Sequence, residues 1–303
     1  MEDKSFDPLH EFENGLVYSD DFNKAIDAIT LVHRYQKVAA RCLFIVAYSG
    51  IGKSSILKRY TSSFEQPETD ESKQIKVIYI PQVANLSNES LAAAILTELG
   101  DPKPFQGRFS EQMARIKNYK NRLGLELIII DEIQELMPTT SVHDRSKVVS
   151  FLKLLMNTIG VGVVVAGLPK AEHILQVDEQ LRTRAIQSIH LHSFTMKSKE
   201  ENERFAQFVK EIMKKYPAKI PGLFSSTGEG LYRMLLATHG NKRIFKNLLS
   251  CAFYASPSKE LVTMDHLHLA WQAEASKFKN EMCPPFKATL NAVKKELAAL
   301  ELI

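Results

Sequence analysis

The sequence predicts an α/β fold, a parallel sheet flanked by helices, followed by a small all-helical region. Three observations carry this. Short apolar runs alternate with helical patterns over the first two thirds of the chain. A Gly-Ile-Gly-Lys-Ser turn joins one of those runs to the helix behind it. Beyond residue 195 further helical patterns follow with no strand among them. Strands that alternate with helices connect by crossovers, which makes the sheet parallel and covers both of its faces.

Residues 20–40 place Phe22, Ala25, Ile26, Ile29 and Val32 near a 3.6-residue repeat and read as a helix. Residues 41–47 (Arg-Cys-Leu-Phe-Ile-Val-Ala) are nearly all apolar, as a strand buried on both faces requires. A helix over 54–64, a strand over 76–80 and a helix over 87–99 follow, the last with Ser87 as N-cap. A basic helix over 109–122 precedes a strand over 125–130 that ends in Asp131-Glu132. Next come a helix over 146–158, a strand over 161–166, a short helix over 171–177 and a last strand over 185–191. Helices over 198–216, 229–239, 242–255 and 264–279 form a lid. The breaker Pro284-Pro285 sets off a final amphipathic helix whose stripe Leu290, Val293, Leu297 and Leu300 suits a partner's groove. The expected domains are 1–195, 196–279 and a docking tail over 280–303.

The composition excludes several classes. At 303 residues and 45% hydrophobic, the chain builds a core without disulfides or a structural metal. Three scattered cysteines fit a reducing cytoplasm. The N-terminus reads as acidic where a signal peptide would be basic and then apolar, so no targeting segment is expected. The longest uncharged apolar stretch, residues 159–169, falls far short of the ~20 residues a membrane helix needs. The expectation is a cytoplasmic protein without a membrane partner. Its formal charge of +4 is unevenly spread. Residues 1–27 are strongly acidic, whereas 101–124 carry six bases (Lys103, Arg108, Arg115, Lys117, Lys120, Arg122) against Asp101 and Glu111.

The segment from Ala47 to Ser55 matches the phosphate-loop pattern G-x-x-x-x-G-K-[ST], with Ala47 in the first glycine position. Gly50 and Gly52 let the backbone curl so that N–H groups from Ser49 to Ser55, Ile51 among them, face a phosphate. The helix that follows adds its positive end. Lys53 reaches the β- and γ-phosphates, and Ser54 supplies a hydroxyl for Mg²⁺. Asp131, at a strand's carboxyl end where ligands collect, completes the Mg²⁺ shell. Glu132 polarises the attacking water. The next strand ends Gly167-Leu168-Pro169 with no polar residue at its tip, so turnover is expected to be slow. Arg182 and Arg184 are candidate fingers, and Arg243, at the start of a lid helix, is a candidate for the γ-phosphate.

These motifs in this order resemble AAA+ ATPases, and finer features resemble the TniB/TnsC family of transposition regulators. The features are Leu16-Val-Tyr18, the Leu99-Gly-Asp-Pro-Lys-Pro segment, the run from Leu127 to Leu136, Val164 to Pro169, and Asp178 to Arg184. The resemblance spans roughly residues 14–255. It implies an ATP-dependent homo-oligomer, a ring or filament on double-stranded target DNA, that links a target selector to the transposase. Leu16, Val17 and Tyr18 would then line the adenine pocket, and Arg184 would reach a neighbour's ATP. Lys103, Arg108, Arg115 and Lys117 would follow the DNA backbone without reading sequence. Two other readings are a helicase loader of the IstB/DnaC type, with robust turnover, and a signalling ATPase that never touches nucleic acid.

Overall fold

A computed structural model describes residues 7–17, 19–65, 74–81, 87–136, 142–223, 228–275 and 283–303. The chain forms two compact units: Asp20–Leu191, and Met1–Ser19 together with His192–Ile303.

The first unit is built on five parallel strands: β1 (Cys42–Val46), β2 (Val77–Ile80), β3 (Leu127–Ile130), β4 (Gly162–Gly167) and β5 (Ile189–His190). They lie in the order β2-β3-β4-β1-β5. Registers such as Cys42 opposite Val163 and Leu127 opposite Gly162 align the carboxyl ends of β1, β3 and β4 along one edge. Because alternate strand residues point to opposite faces, each strand feeds two cores. Cys42, Phe44, Ile128, Ile130, Val163 and Val165 pack on one side with α4 (Asn88–Glu98), α5 (Phe109–Leu123) and α6 (Val142–Leu154). Leu43, Ile45, Leu127, Ile129 and Val164 pack on the other with α2 (Asp20–Tyr35) and α3 (Lys53–Ser62). The near-continuous apolar runs follow from this double burial.

The expected elements are present with shifted bounds. Ser87 caps α4, its hydroxyl accepting from Ser90 N at 3.0 Å. The 146–158 helix begins earlier, as α6, and finishes in a π turn over Leu155–Ile159 closed by Gly160 at φ 78°. The 171–177 helix is a 3₁₀ segment, Pro169–Gln176, leading into α7 (Glu179–Arg184). The last strand shrinks to two residues, with Ala185 making only an isolated bridge to Cys42.

The second unit is discontinuous in the chain. A short helix α1 (His10–Asn14), assigned to the core from sequence, belongs instead with α8 (Lys199–Met213), α9 (Glu229–Thr238), α10 (Lys242–Ala255), α11 (Met264–Ala275) and α12 (Leu290–Ala299). Leu9 and Phe12 are fully buried there, Phe12 meeting the Tyr216 ring edge-on at 5.0 Å. Lys246 Nζ donates to the carbonyls of Glu13 and Gly15, both at 2.8 Å, and Lys215 Nζ to that of Leu16 at 3.0 Å, pinning the segment down. The expected docking tail is also part of this core. Phe286, Val293 and Leu297 are buried among its apolar residues, and Leu300 packs against them. Among the described residues, no helix is long and apolar enough to cross a membrane.

Candidate nucleotide site

The loop after β1 has the shape its residues predict. Gly50 and Gly52 take φ values of 82° and 113°, a region closed to most side chains. Ala47 continues the buried strand, its N–H bonded to Gly167 O at 3.1 Å, so no glycine is required there. Lys53 opens α3 and is 4% exposed, with Nζ donating to Ala47 O at 2.7 Å and Tyr48 O at 3.3 Å. Ser49 and Ser55 are exposed and Ile51 is buried beneath the loop.

Opposite the loop, Asp131 emerges from β3 and is almost wholly buried. Its Oδ2 accepts from Ser54 Oγ at 2.6 Å and from Tyr79 Oη at 2.9 Å, and its Oδ1 accepts from Glu132 N at 2.9 Å. Burial and the adjacent Asp131 push the Tyr79 phenol well above its ordinary pKa, so it stays a donor. A serine hydroxyl and a carboxylate that converge on one point are the hard oxygen donors Mg²⁺ takes, so these residues fit the ion.

Glu132 has a left-handed backbone, φ 50°. A non-glycine residue held there costs on the order of 1–2 kcal/mol, and such strain gathers at functional sites. Its carboxylate accepts a hydrogen bond from the amide of Gln134. Gln134 is itself 4% exposed, and its Oε1 accepts from Leu168 N at 3.0 Å. One buried amide therefore ties Glu132 to the tip of β4, the strand end that has no polar side chain of its own. Tyr79 and Gln134 were missed in the sequence. The signal for Tyr79 was a hydroxyl inside the otherwise apolar run of β2.

The remaining candidates are dispersed. Arg184 is half-buried at the end of α7 and hydrogen-bonded to Asn157, whereas Arg182 is exposed beside Glu179. Arg243 stands in the first turn of α10, and its N–H is capped by Asn241 Oδ1 at 3.0 Å. Leu16 and Val17 are half-buried within the helical unit; Tyr18 lies outside the described residues. In the basic segment Lys103, Arg108 and Lys117 are exposed, but Arg115 is not a free cation. Its guanidinium donates to the carbonyls of Lys103 (3.2 Å), Pro104 (3.5 Å) and Gln106 (2.7 Å), with Asp101 3.6 Å away. Arg115 braces the loop before α5, which leaves Lys103, Arg108 and Lys117 as the exposed bases among the four candidates.

Comparison with known structures agrees on the fold. The ORC2 protein of Aeropyrum pernix, solved as ADPNP-ADP complexes, matches with TM-score 0.61 at 11% identity, over 87% of this chain and 71% of that one. Cdc6p of Pyrobaculum aerophilum matches with TM-score 0.63 at 13% identity, over 86% and 70%. The Aeropyrum pernix ORC1 protein in complex with DNA matches with TM-score 0.58 at 16% identity, over 97% and 86%. At such identities the likeness is one of fold alone. No curated protein matches. A family model described as the bacterial TniB protein matches residues 13–196. That span holds the phosphate loop, the Asp131–Glu132 pair with its Gln134 tie and every strand of the sheet, and the chain belongs to the TniB family.

Proposed function

We propose that this protein is an AAA+ ATPase that assembles on double-stranded DNA as a homo-oligomer and regulates transposition, linking a target selector to a transposase. The observation that carries the nucleotide reading is the convergence of Ser54 and Tyr79 on Asp131 beside a loop with two glycines at positive φ. Family membership supports the transposition role. The DNA-bound ORC1 protein shares the fold, and the basic segment of this chain supports the same polymer here.

The chain's own groups have these roles. The loop amides and the start of α3 receive the β-phosphate. Lys53, now turned onto the Ala47 and Tyr48 carbonyls, exchanges them for phosphate oxygens. Ser54 and Asp131 would hold Mg²⁺, which when bound neutralises charge on the β- and γ-phosphates. Glu132 orients a water for in-line attack and accepts its proton. Arg184 and Arg243 remain candidates for charge developing on the γ-phosphate, the first from a neighbouring subunit.

Lys53→Ala is expected to abolish ATP binding and assembly. Glu132→Gln is expected to bind ATP, hydrolyse it poorly and give longer-lived oligomers. Equilibrium binding of a fluorescent ATP analogue, phosphate release from ATP, and electron microscopy on DNA with ATP and with a slowly hydrolysed analogue read both. Normal turnover in Glu132→Gln removes that residue from its role. Monomers alone on duplex DNA, at all salt concentrations, remove the assembly reading.

A further inference from the structure

The loop between α4 and α5 is built to hold one aromatic ring in solvent. Lys103–Gln106 form a tight turn closed by Gln106 N to Lys103 O at 3.1 Å, with Pro104 and Phe105 at its apex. Phe105 is 79% exposed. An apolar ring left in water is normally mobile or turned inward, but this turn is fastened from beneath. Arg115 binds three of its carbonyls, and Gln112 Nε2 donates to Pro104 O at 3.1 Å. Asp101 Oδ1 receives Lys103 N at 2.8 Å. On the far side Gly107, at φ 92°, lets Glu111 fold back so that its Oε2 accepts from Arg108 N at 2.9 Å; a Cβ on Gly107 would lie 2.4 Å from that oxygen.

The same bonds decide the charge around the ring. Asp101 and Glu111 are the acids of residues 101–124, and both are engaged in holding the loop. Lys103 and Arg108, either side of Phe105 in the chain, stay exposed. A rigid apolar tip flanked by outward cations matches a polyanion with apolar stacks between its charged edges. Duplex DNA has that structure, and apolar wedges flanked by Lys or Arg part its base steps from the minor groove.

We propose that Phe105 is a DNA wedge: it enters a base step of the duplex while Lys103 and Arg108 hold the adjacent phosphates. This deepens the DNA reading above and rests on it. Insertion is easiest at pyrimidine–purine steps, which unstack readily, so a protein without a sequence code would still favour TA and CA steps.

The test uses the full-length protein with a slowly hydrolysed ATP analogue and duplexes carrying 2-aminopurine, whose emission rises on unstacking. Wild-type protein should brighten the probe. Phe105→Ala should lose the rise and bind about 5- to 50-fold more weakly, whereas Phe105→Leu, still an apolar wedge, should retain the rise. Lys103→Ala and Arg108→Ala should each lower the salt slope by roughly 1 and keep the emission change. Duplex binding with no brightening, or Phe105→Ala behaving as wild type, overturns the wedge and leaves the DNA reading standing. Failure of wild-type protein to bind duplex at low salt overturns the DNA reading itself. Loss of assembly by Phe105→Ala in the absence of DNA assigns the ring to a subunit contact, and the wedge falls.

Discussion

Gln134 owes its seat to a glycine. A Cβ at Gly167 would stand 2.6 Å from Gln134 Oε1 and 2.9 Å from Ile133 Cγ2, so only a bare backbone admits the amide at the end of β4. The amide accepts from Leu168 N and donates to Glu132, leaving the second Glu132 oxygen for water. Gln134→Leu puts an apolar side chain of roughly similar size in its place and removes both bonds. ATP affinity should then change less than threefold while kcat falls about 10- to 100-fold, the usual loss when an orienting partner is removed. An unchanged or faster kcat would show that the amide does not position Glu132. At Tyr79 the substitution to Phe deletes one donor to a buried carboxylate and is expected to cost about 1–2 kcal/mol, read as a lower denaturant midpoint. Cys42 is inert for a related reason, its thiol pushed up to about 12 by burial in β1.

At the scale of elements, two assemblies carry predictions. The turn before α5 depends on a planar fork that reaches several carbonyls together, which a lysine ammonium does not reproduce. Arg115→Ala and Arg115→Lys should both speed amide exchange over residues 103–108 and leave α5 intact. Protection equal to wild type in Arg115→Lys would show that charge alone suffices. Between α2, α3 and the start of β3, the buried His33 ring has Nδ1 2.9 Å from Tyr60 Oη and Nε2 2.9 Å from Glu126 Oε2. Burial lowers its pKa below the ordinary 6.5 despite Glu126. Below that value the unfolded chain takes up a proton that the folded chain resists, so stability falls as pH drops from about 6.5. His33→Gln should flatten the fall in denaturant midpoint between pH 7.5 and 5.5; an equal fall would clear His33, leaving His239, lowered also by burial, to explain it. The phosphate loop and Asp131-Glu132 were legible because their residue types and spacing are themselves the chemistry. Arg115 was not. Its cationic type suggested a solvent face, yet it follows Gln112 by three and precedes Ile116, both buried, which places it on α5's inner side. Gln134's function was illegible for another reason: its partner Leu168 follows β4, 34 residues further along the chain, and only the fold brings the two together.

For the whole molecule, the division into units matters most. The lone Trp of the chain, Trp271, is buried in the helical unit, so its fluorescence reports that unit. Phe12→Ala should remove a fully buried ring at a cost of about 3–5 kcal/mol and move the Trp271 transition to lower denaturant. A transition in the same place would mean the N-terminal helix adds nothing to that core. The helical unit is discontinuous in sequence and the nucleotide unit is not, and this imposes an order on synthesis. Phe12 is made about 200 residues ahead of Tyr216, against which it packs. At roughly 5–20 residues per second it waits on the order of 10–40 s for that partner, an interval in which the sheet can close. Until then the apolar side chains of Leu9 and Phe12 lack the residues that bury them in the finished unit.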